Sequence, residues 1–351
     1  MLPISYAATL ARGQRMQLDQ LRRREFMTLL GGAAAAWPLA ARAQQAERMR
    51  RIGVLMGFPE NDLEAQAYIA AFRDGLQKLG WAEGRNVRID TRWATPADVD
   101  SMQRFAKELV AIQPDLILSN TTPTTAALLQ QTRTIPIVFA MVVDPVGSGF
   151  VASFPRPGGN VTGFVVTEGS LGGKWLELLK EIAPNVARVA LPFNPTTAPY
   201  AEIYLNHVKA AGASFGVETI TAPVRDSSEL ESVVAAQARE PNGGLIVIPD
   251  SFTDAHRDEI ISLAARHRLP AVYFHRFFAT HGGLMSYGVD LKDNFPRAAT
   301  YVDRILKGEK PANLPVQAPI KYGLTINVKT AKTLGLDVPP HLQQLADEII
   351  E

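Results

Sequence analysis

Two periodicities take turns along this chain. Residues 52–56 form an unbroken apolar run, the pattern of a strand covered on both faces in a parallel sheet. Residues 63–79 then space Ala67, Ile69 or Ala70, Phe72 and Leu76 for one buried helical face, and Gly80 marks the stop. A strand over 87–93, an amphipathic helix over 102–112, a strand over 116–118, a helix over 124–131 and a strand over 137–140 follow. Strands alternating with helices predict an α/β fold: a parallel sheet with right-handed crossovers and its ligand at the carboxyl ends of the strands.

The body of the chain states this pattern twice, about 130 to 137 residues apart. Arg51-Ile-Gly-Val-Leu-Met-Gly-Phe58 is answered by Arg188-Val-Ala-Leu-Pro-Phe-Asn194. Pro114-Asp-Leu-Ile-Leu-Ser-Asn120, a helix and Ile135-Pro-Ile-Val-Phe-Ala140 are answered by Gly244-Leu-Ile-Val-Ile-Pro-Asp250, a helix and Leu269-Pro-Ala-Val-Tyr-Phe274. Two similar halves predict two Rossmann-like lobes facing one another across a cleft. The run Gly283-Leu-Met-Ser-Tyr-Gly-Val-Asp290, a helix over 295–306 and a strand over 324–327 have no place in a simple two-bead chain. The path is therefore expected to recross near 163, 286 and 319 through a three-stranded hinge. This gives one lobe from 51–163 plus 286–318 and the other from 164–285 plus 319–351.

Ahead of the repeat, Arg22-Arg-Arg24-Glu-Phe26-Met27 precedes an apolar stretch too short for a permanent membrane span, then Ala41-Arg-Ala43. Residues 1–43 read as a secretory signal peptide; the arginine pair fits a twin-arginine signal and equally the charged region of a general one. The segment carries six arginines and two acids, so its removal takes the formal charge from +1 to −3. That balance argues against a nucleic-acid surface. The chain has no cysteine, which excludes disulfides and a lipid anchor at the new terminus. A free, exported, periplasmic chain is expected.

Candidate ligand contacts sit where strands give way to helices. Ser119-Asn-Thr121-Thr122-Pro123 offers hydroxyls and amides at a helix start, with Thr122 as N-cap and Pro123 in the first helical position, a natural seat for a carboxylate. A ligand ammonium in a closed cleft needs a carboxylate beside it, and Asp144, Asp250 and Asp290 are the candidates. Each has a plain structural alternative: Asp144 before Pro145 as a turn former, Asp250 and Asp290 as helix caps. Phe58 and Tyr287 lead the rings that could clamp a ligand, with Phe193, Tyr200 and Phe252 behind them, and each could instead seal a strand end. Asn194 could bond ligand or its own turn. A helix terminus, acids and rings together point to an amino acid or related carboxylate.

Catalytic patterns are not found. Gly57-Phe-Pro-Glu-Asn-Asp62 replaces a dinucleotide loop, Gly147-Ser-Gly149 lacks the spacing of a hydrolase elbow, and no histidine or cysteine set suits a metal. Of the six histidines only His275, with Arg276, lies near an expected cleft mouth. Neither enzyme activity nor any cofactor or metal is expected.

The arginine-rich leader, Asp144-Pro-Val-Gly147, Phe193-Asn-Pro195, Leu284-Met-Ser-Tyr-Gly288 with Asp290, and Ala299-Thr-Tyr-Val-Asp-Arg-Ile-Leu-Lys-Gly308 resemble the ABC-transporter substrate-binding proteins related to tryptophan and tyrosine binders. The resemblance covers nearly the whole chain after the leader. It implies a type I periplasmic-binding fold, closure around one small-molecule ligand, a monomer, and delivery to an inner-membrane permease and its ATPase. A ligand-sensing subunit of a membrane receptor would share the fold and the cleft. An α/β enzyme would need a nucleophile and base that the sequence does not show.

Overall fold

The computed structural model describes residues 49–351, so the expected signal peptide over 1–43 lies outside the described residues. The first half builds β1 (Arg50–Met56), α1 (Leu63–Lys78), β2 (Val87–Trp93), α2 (Val99–Ala111), β3 (Leu116–Thr121), α3 (Thr122–Gln131), β4 (Ile137–Val142) and β5 (Val161–Val165). Its sheet has the order β2-β1-β3-β4-β5, with every pair parallel.

The apolar run in β1 is unbroken because helices cover both faces of this sheet. Ile52, Val54 and Met56 pack with Tyr68, Phe72 and Leu76 of α1, while Leu55 packs with Met102, Ala106 and Leu109 of α2. The Asp62 carboxylate starts α1 by accepting from Ala65 N at 2.9 Å, and Gly80, with φ 93°, lies just past its end.

The second half repeats the plan with α4 (Leu171–Ile182), β6 (Arg188–Phe193), α5 (Ala201–Phe215), β7 (Glu218–Pro223), α6 (Ser227–Ala238), β8 (Gly243–Val247), α7 (Ser251–Ala255), α8 (Arg257–Arg266), β9 (Ala271–Tyr273), α9 (Arg276–Thr280) and β10 (Met285–Gly288). The strand order β7-β6-β8-β9-β10 is that of the first sheet element for element, so the sequence repeat is a repeat of topology. Two late strands extend it past β10: β11 (Gly323–Asn327), paired antiparallel to β10, and β12 (Glu348–Ile350), parallel to β11.

Between β10 and β11 the chain returns to the first lobe as α10 (Asn294–Leu306). Phe295 stacks on Tyr68 of α1 at 4.8 Å, Trp81 Nε1 donates to Asp303 Oδ1 at 2.9 Å, and Asn294 Nδ2 donates to Ala140 O at 2.9 Å. The second lobe is finished by α11 (Val328–Leu334) and α12 (Pro340–Leu345). The chain thus passes between the sheets three times: after β5, after β10 and before β11. Since β5 ends at Val165 and β10 at Gly288, the first two crossings lie a few residues beyond 163 and 286. Backbone bonds between Gln317 and β5, Gln317 N to Gly163 O at 2.9 Å and Val165 N to Gln317 O at 3.0 Å, tie two crossings side by side.

Candidate ligand-binding cleft

The β3–α3 junction forms one wall. The structure corrects the expected cap by one residue: Thr121 is the N-cap, helix α3 begins at Thr122, and Pro123 takes the second helical position, where its missing N–H costs nothing. The hydroxyls here hold the junction together. Ser119 Oγ bonds Thr124 Oγ1 and Thr125 Oγ1, both at 2.8 Å, and Thr122 Oγ1 accepts from Val143 N at 3.0 Å, which ties the junction to the end of β4. Asn120 Oδ1 accepts from Gly57 N at 2.7 Å, and its buried Nδ2 has no partner among the described residues. Pro123 has no N–H and a capping box pairs Thr124 N with the Thr121 side chain, so the Thr122 N–H is the first-turn donor left at the positive end of the helix dipole.

The β8–α7 junction forms the facing wall, and its two carboxylates behave differently. Asp250 is the N-cap of α7 and accepts from Phe252 N at 2.9 Å, from Asn194 N at 2.8 Å and from Thr197 Oγ1. Burial raises its pKa to about 6 despite these three donors, because the loss of water outweighs them. Asp254, four residues on, is also buried, but among the described residues nothing donates a hydrogen bond to its carboxylate. Desolvation, opposed by Arg257 and reinforced by Asp250, Asp62 and Glu64, lifts its pKa to about 8. Ser251 Oγ beside it is buried with no partner either.

The two walls enclose a cavity of about 20 Å³ lined by Thr121, Thr122, Tyr200, Asp250, Asp254 and Phe274, among others. That is room for about one water molecule. Sharing Thr122, Pro123 and Tyr200 with it is an open groove of about 370 Å³, whose walls include Asp144, Ser148 and Phe150 of the first lobe and Pro199 of the second. The cleft is closed on the α1 side by an ion pair between lobes: Arg257 Nη1 meets Asp62 Oδ2 at 2.7 Å, with the side chains only 14% and 9% exposed. The same Nη1 donates to Asp254 O at 2.8 Å, and the guanidinium lies 4.4 Å over the Phe277 ring. One arginine therefore links the closing contact to the residue beside the cavity.

Of the residues singled out in the sequence, Thr121, Thr122 and Asp250 come together on the inner cavity and Asp144 on the groove. Asp144 turns its own loop, with φ 45° and Oδ1 accepting from Gly147 N at 2.8 Å. Asn194 is buried in the β6–α5 loop, where Oδ1 accepts from Thr196 N at 2.8 Å. Phe58 is buried in a core cluster that runs through both lobes. Tyr287 lies in β10 just before the crossing, stacked on Tyr322 at 5.9 Å, with its carbonyl accepting from Trp175 Nε1 at 2.7 Å. Asp290 is exposed and caps a short 3₁₀ turn by accepting from Lys292 N at 3.0 Å.

His275 is buried, and desolvation with Arg257 and Arg276 nearby holds it down to about 3, so it stays neutral. Arg276 is committed elsewhere, to a two-pronged bond with Glu348 at 2.6 Å. Sequence reasoning missed Asp254, Arg257 and Asp62. The spacing of Asp250 and Asp254, four apart just past a strand end, was the available signal for the first.

Among the described residues no group of His, Cys, Asp and Glu is placed to hold a metal ion, and no helix is long and apolar enough to cross a membrane. Residues 60–350 match the family described as ABC transporter substrate binding protein. The chain is 26% identical to a tyrosine-binding protein of Clostridioides difficile over 293 residues, 83% of this chain and 82% of that one. A conserved domain protein from Vibrio cholerae has a similar structure, with TM-score 0.80 at 28% identity over 86% of this chain and 100% of that one. An ABC domain from Streptococcus pneumoniae in complex with L-tryptophan has TM-score 0.78 at 25% identity, with the same coverage. The fold is that of the type I periplasmic binding proteins. With its two lobes, its cleft at the strand ends and this match along the body of the chain, the protein belongs to the ABC transporter substrate-binding protein family and is a binding protein, not an enzyme.

Proposed function

We propose that this protein is the extracytoplasmic solute-binding component of an ABC importer, that it captures an aromatic amino acid between its lobes, and that it hands the ligand to a membrane permease and its ATPase. The observation that carries the ligand class is the pairing of chemistries across the cleft. A buried carboxylate without a donor, Asp254, faces the amino end of α3, where the Thr122 N–H lacks an intrahelical acceptor at the positive end of the helix dipole. An α-amino acid is complementary to both: its ammonium supplies the missing partner of Asp254, and its carboxylate takes the helix terminus. The names of the relatives, a tyrosine-binding protein and a tryptophan complex, support an aromatic side chain.

In this reading Thr121 and Thr122 shape the carboxylate seat, while Asp250 and Asn194 brace the facing wall. Tyr287 and Asp290 belong to the crossing about which the lobes move, and Phe58 backs the first lobe beneath the cleft. The inner cavity is smaller than an amino-acid head group, so the lobes part to admit ligand, and the walls of this cavity stand farther apart around a bound head group than they do here.

Thermal-shift and calorimetric titration of residues 44–351 with tyrosine, tryptophan, phenylalanine, leucine, aspartate and glucose tests the proposal. A ligand at a hundred times its Kd stabilises by about 2.7 kcal/mol, a shift of several degrees for a chain of this size. Aromatic amino acids are expected to give it. A response confined to glucose would refute the ligand class.

A further inference from the structure

We infer that the open groove beside the inner cavity is the side-chain subsite of the cleft and that Asp144 makes it selective for rings carrying an N–H or O–H donor. The inference rests on the amino-acid reading above and assigns what that reading leaves open, the position and chemistry of the side chain.

The inner cavity, about 20 Å³, has no space for a ring, whereas the groove, about 370 Å³, is of the size of a small-ligand pocket. The two share Thr122, Pro123 and Tyr200, so a ligand with its head group between Asp254 and α3 has one continuous way out. The groove stays open although the Asp62–Arg257 pair already holds the lobes together, so its walls come from both lobes in the closed arrangement. Pro123, Ala126 and Phe150 on one side and Pro199 and Tyr200 on the other give flat apolar surfaces suited to a ring.

Asp144 is the one acidic residue among those lining this groove, and no basic residue is among them. Its Oδ1 is occupied by Gly147 N, and no described residue donates to Oδ2. Its backbone is held in the left-handed region, φ 45°, in a loop closed by Ser148 N to Asp144 O at 3.0 Å. Aspartate tolerates this conformation in a turn, and the closed loop holds its carboxylate beside the groove. A ring that enters the groove strips water from this carboxylate. An indole N–H or phenol O–H replaces the lost hydrogen bond, whereas a phenyl ring leaves it unmade, which is how a polar pocket rejects an analogue lacking the donor.

The test is a calorimetric comparison on residues 44–351 of tyrosine against phenylalanine and of tryptophan against 3-(1-naphthyl)alanine, a ring of similar shape without the N–H. The native protein should favour the donor-bearing member of each pair by about tenfold or more. In Asp144→Asn the amide oxygen can still accept from Gly147 N, and the tryptophan-to-naphthylalanine ratio should fall towards one. Ala126→Trp fills the groove from α3 and should weaken every aromatic ligand by about tenfold or more. Equal affinities within both pairs for the native protein overturn the inference, as do an unchanged ratio in Asp144→Asn, unchanged aromatic affinity in Ala126→Trp, or arginine binding tighter than tryptophan. In each case a cleft that still binds amino acids leaves the proposed function standing. If no amino acid binds the native protein, the proposed function fails and takes this inference with it.

Discussion

Replacing Asp62 by Asn should weaken ligand binding without unfolding the protein, and the structure sets the size of the effect. Asp62 does two jobs: Oδ1 caps α1 through Ala65 N, and Oδ2 meets Arg257 across the cleft. Asparagine caps a helix about as well as aspartate, so the first role survives. The second is lost from a pair whose side chains are 9% and 14% exposed. Removing one partner of a fully buried pair costs about 3–5 kcal/mol, mostly from the charge left behind. Here Arg257 keeps the Asp254 carbonyl and the Phe277 ring, so the charge is not stranded. A cost of about 2 kcal/mol follows, or roughly 30-fold in Kd.

The cost falls on the closed form alone, because opening the cleft returns both groups to water. A ligand that requires closure therefore loses the same factor in affinity. Titration of the native chain, Asp62→Asn, Arg257→Met and the double variant with the tightest aromatic amino acid measures it, and the cycle should show a coupling of about 1–2 kcal/mol. The ligand-free melting temperature of Asp62→Asn should stay close to native. Native-like affinity in both single variants, or strict additivity in the double variant, would refute the latch.

The Asp254 carboxyl, with its pKa near 8, binds a proton that the unfolded chain loses at the ordinary carboxylate value. Stability of the ligand-free protein should therefore fall as pH rises from about 4 to 8, by at most about 1.4 kcal/mol per unit from this group, with Asp250 adding to the slope up to about pH 6. Denaturant titrations at several pH values should show this decline, and Asp254→Asn should flatten it. An ammonium that pairs with ionised Asp254 displaces its proton, so affinity should climb by up to about tenfold per pH unit towards pH 8 and then level off. Flat affinity between pH 6 and 8 would contradict the assignment of Asp254. At the crossing after β10, a Cβ on Gly288 would stand 1.8 Å from Phe274 O, so Gly288→Ala should cost about 1–3 kcal/mol or more in chemical denaturation. A native midpoint would show that the crossing yields freely.

The sequence by itself determined everything that depends on local period. The apolar run 52–56, the helical face through Phe72 and Leu76, and their echo after Arg188 are statements about which side of each element is covered, and burial follows them closely. The echo also carried the repeat of strand–helix units, while the strand order the two sheets share is seen only in the fold. The start of α3 was legible to within one residue because Thr121, Thr122 and Pro123 act through their own backbone.

What only the tertiary structure decided is which polar group is spent and which is left over. Asp144, Asp250 and Asp290 look equivalent in sequence, each an acid after an apolar run. Folding gives Asp250 two donors from residues 53 and 56 positions away, leaves Asp290 at the surface, and puts Asp144 on the groove with one oxygen engaged. Asp254, marked in sequence only by standing four residues after Asp250, is buried, and among the described residues nothing donates to its carboxylate. Asp62 and Arg257 are 195 residues apart and meet only because the lobes close. Periodicity records how much water an element sees, whereas the satisfaction of a buried charge depends on partners that only the assembled fold brings within hydrogen-bond distance.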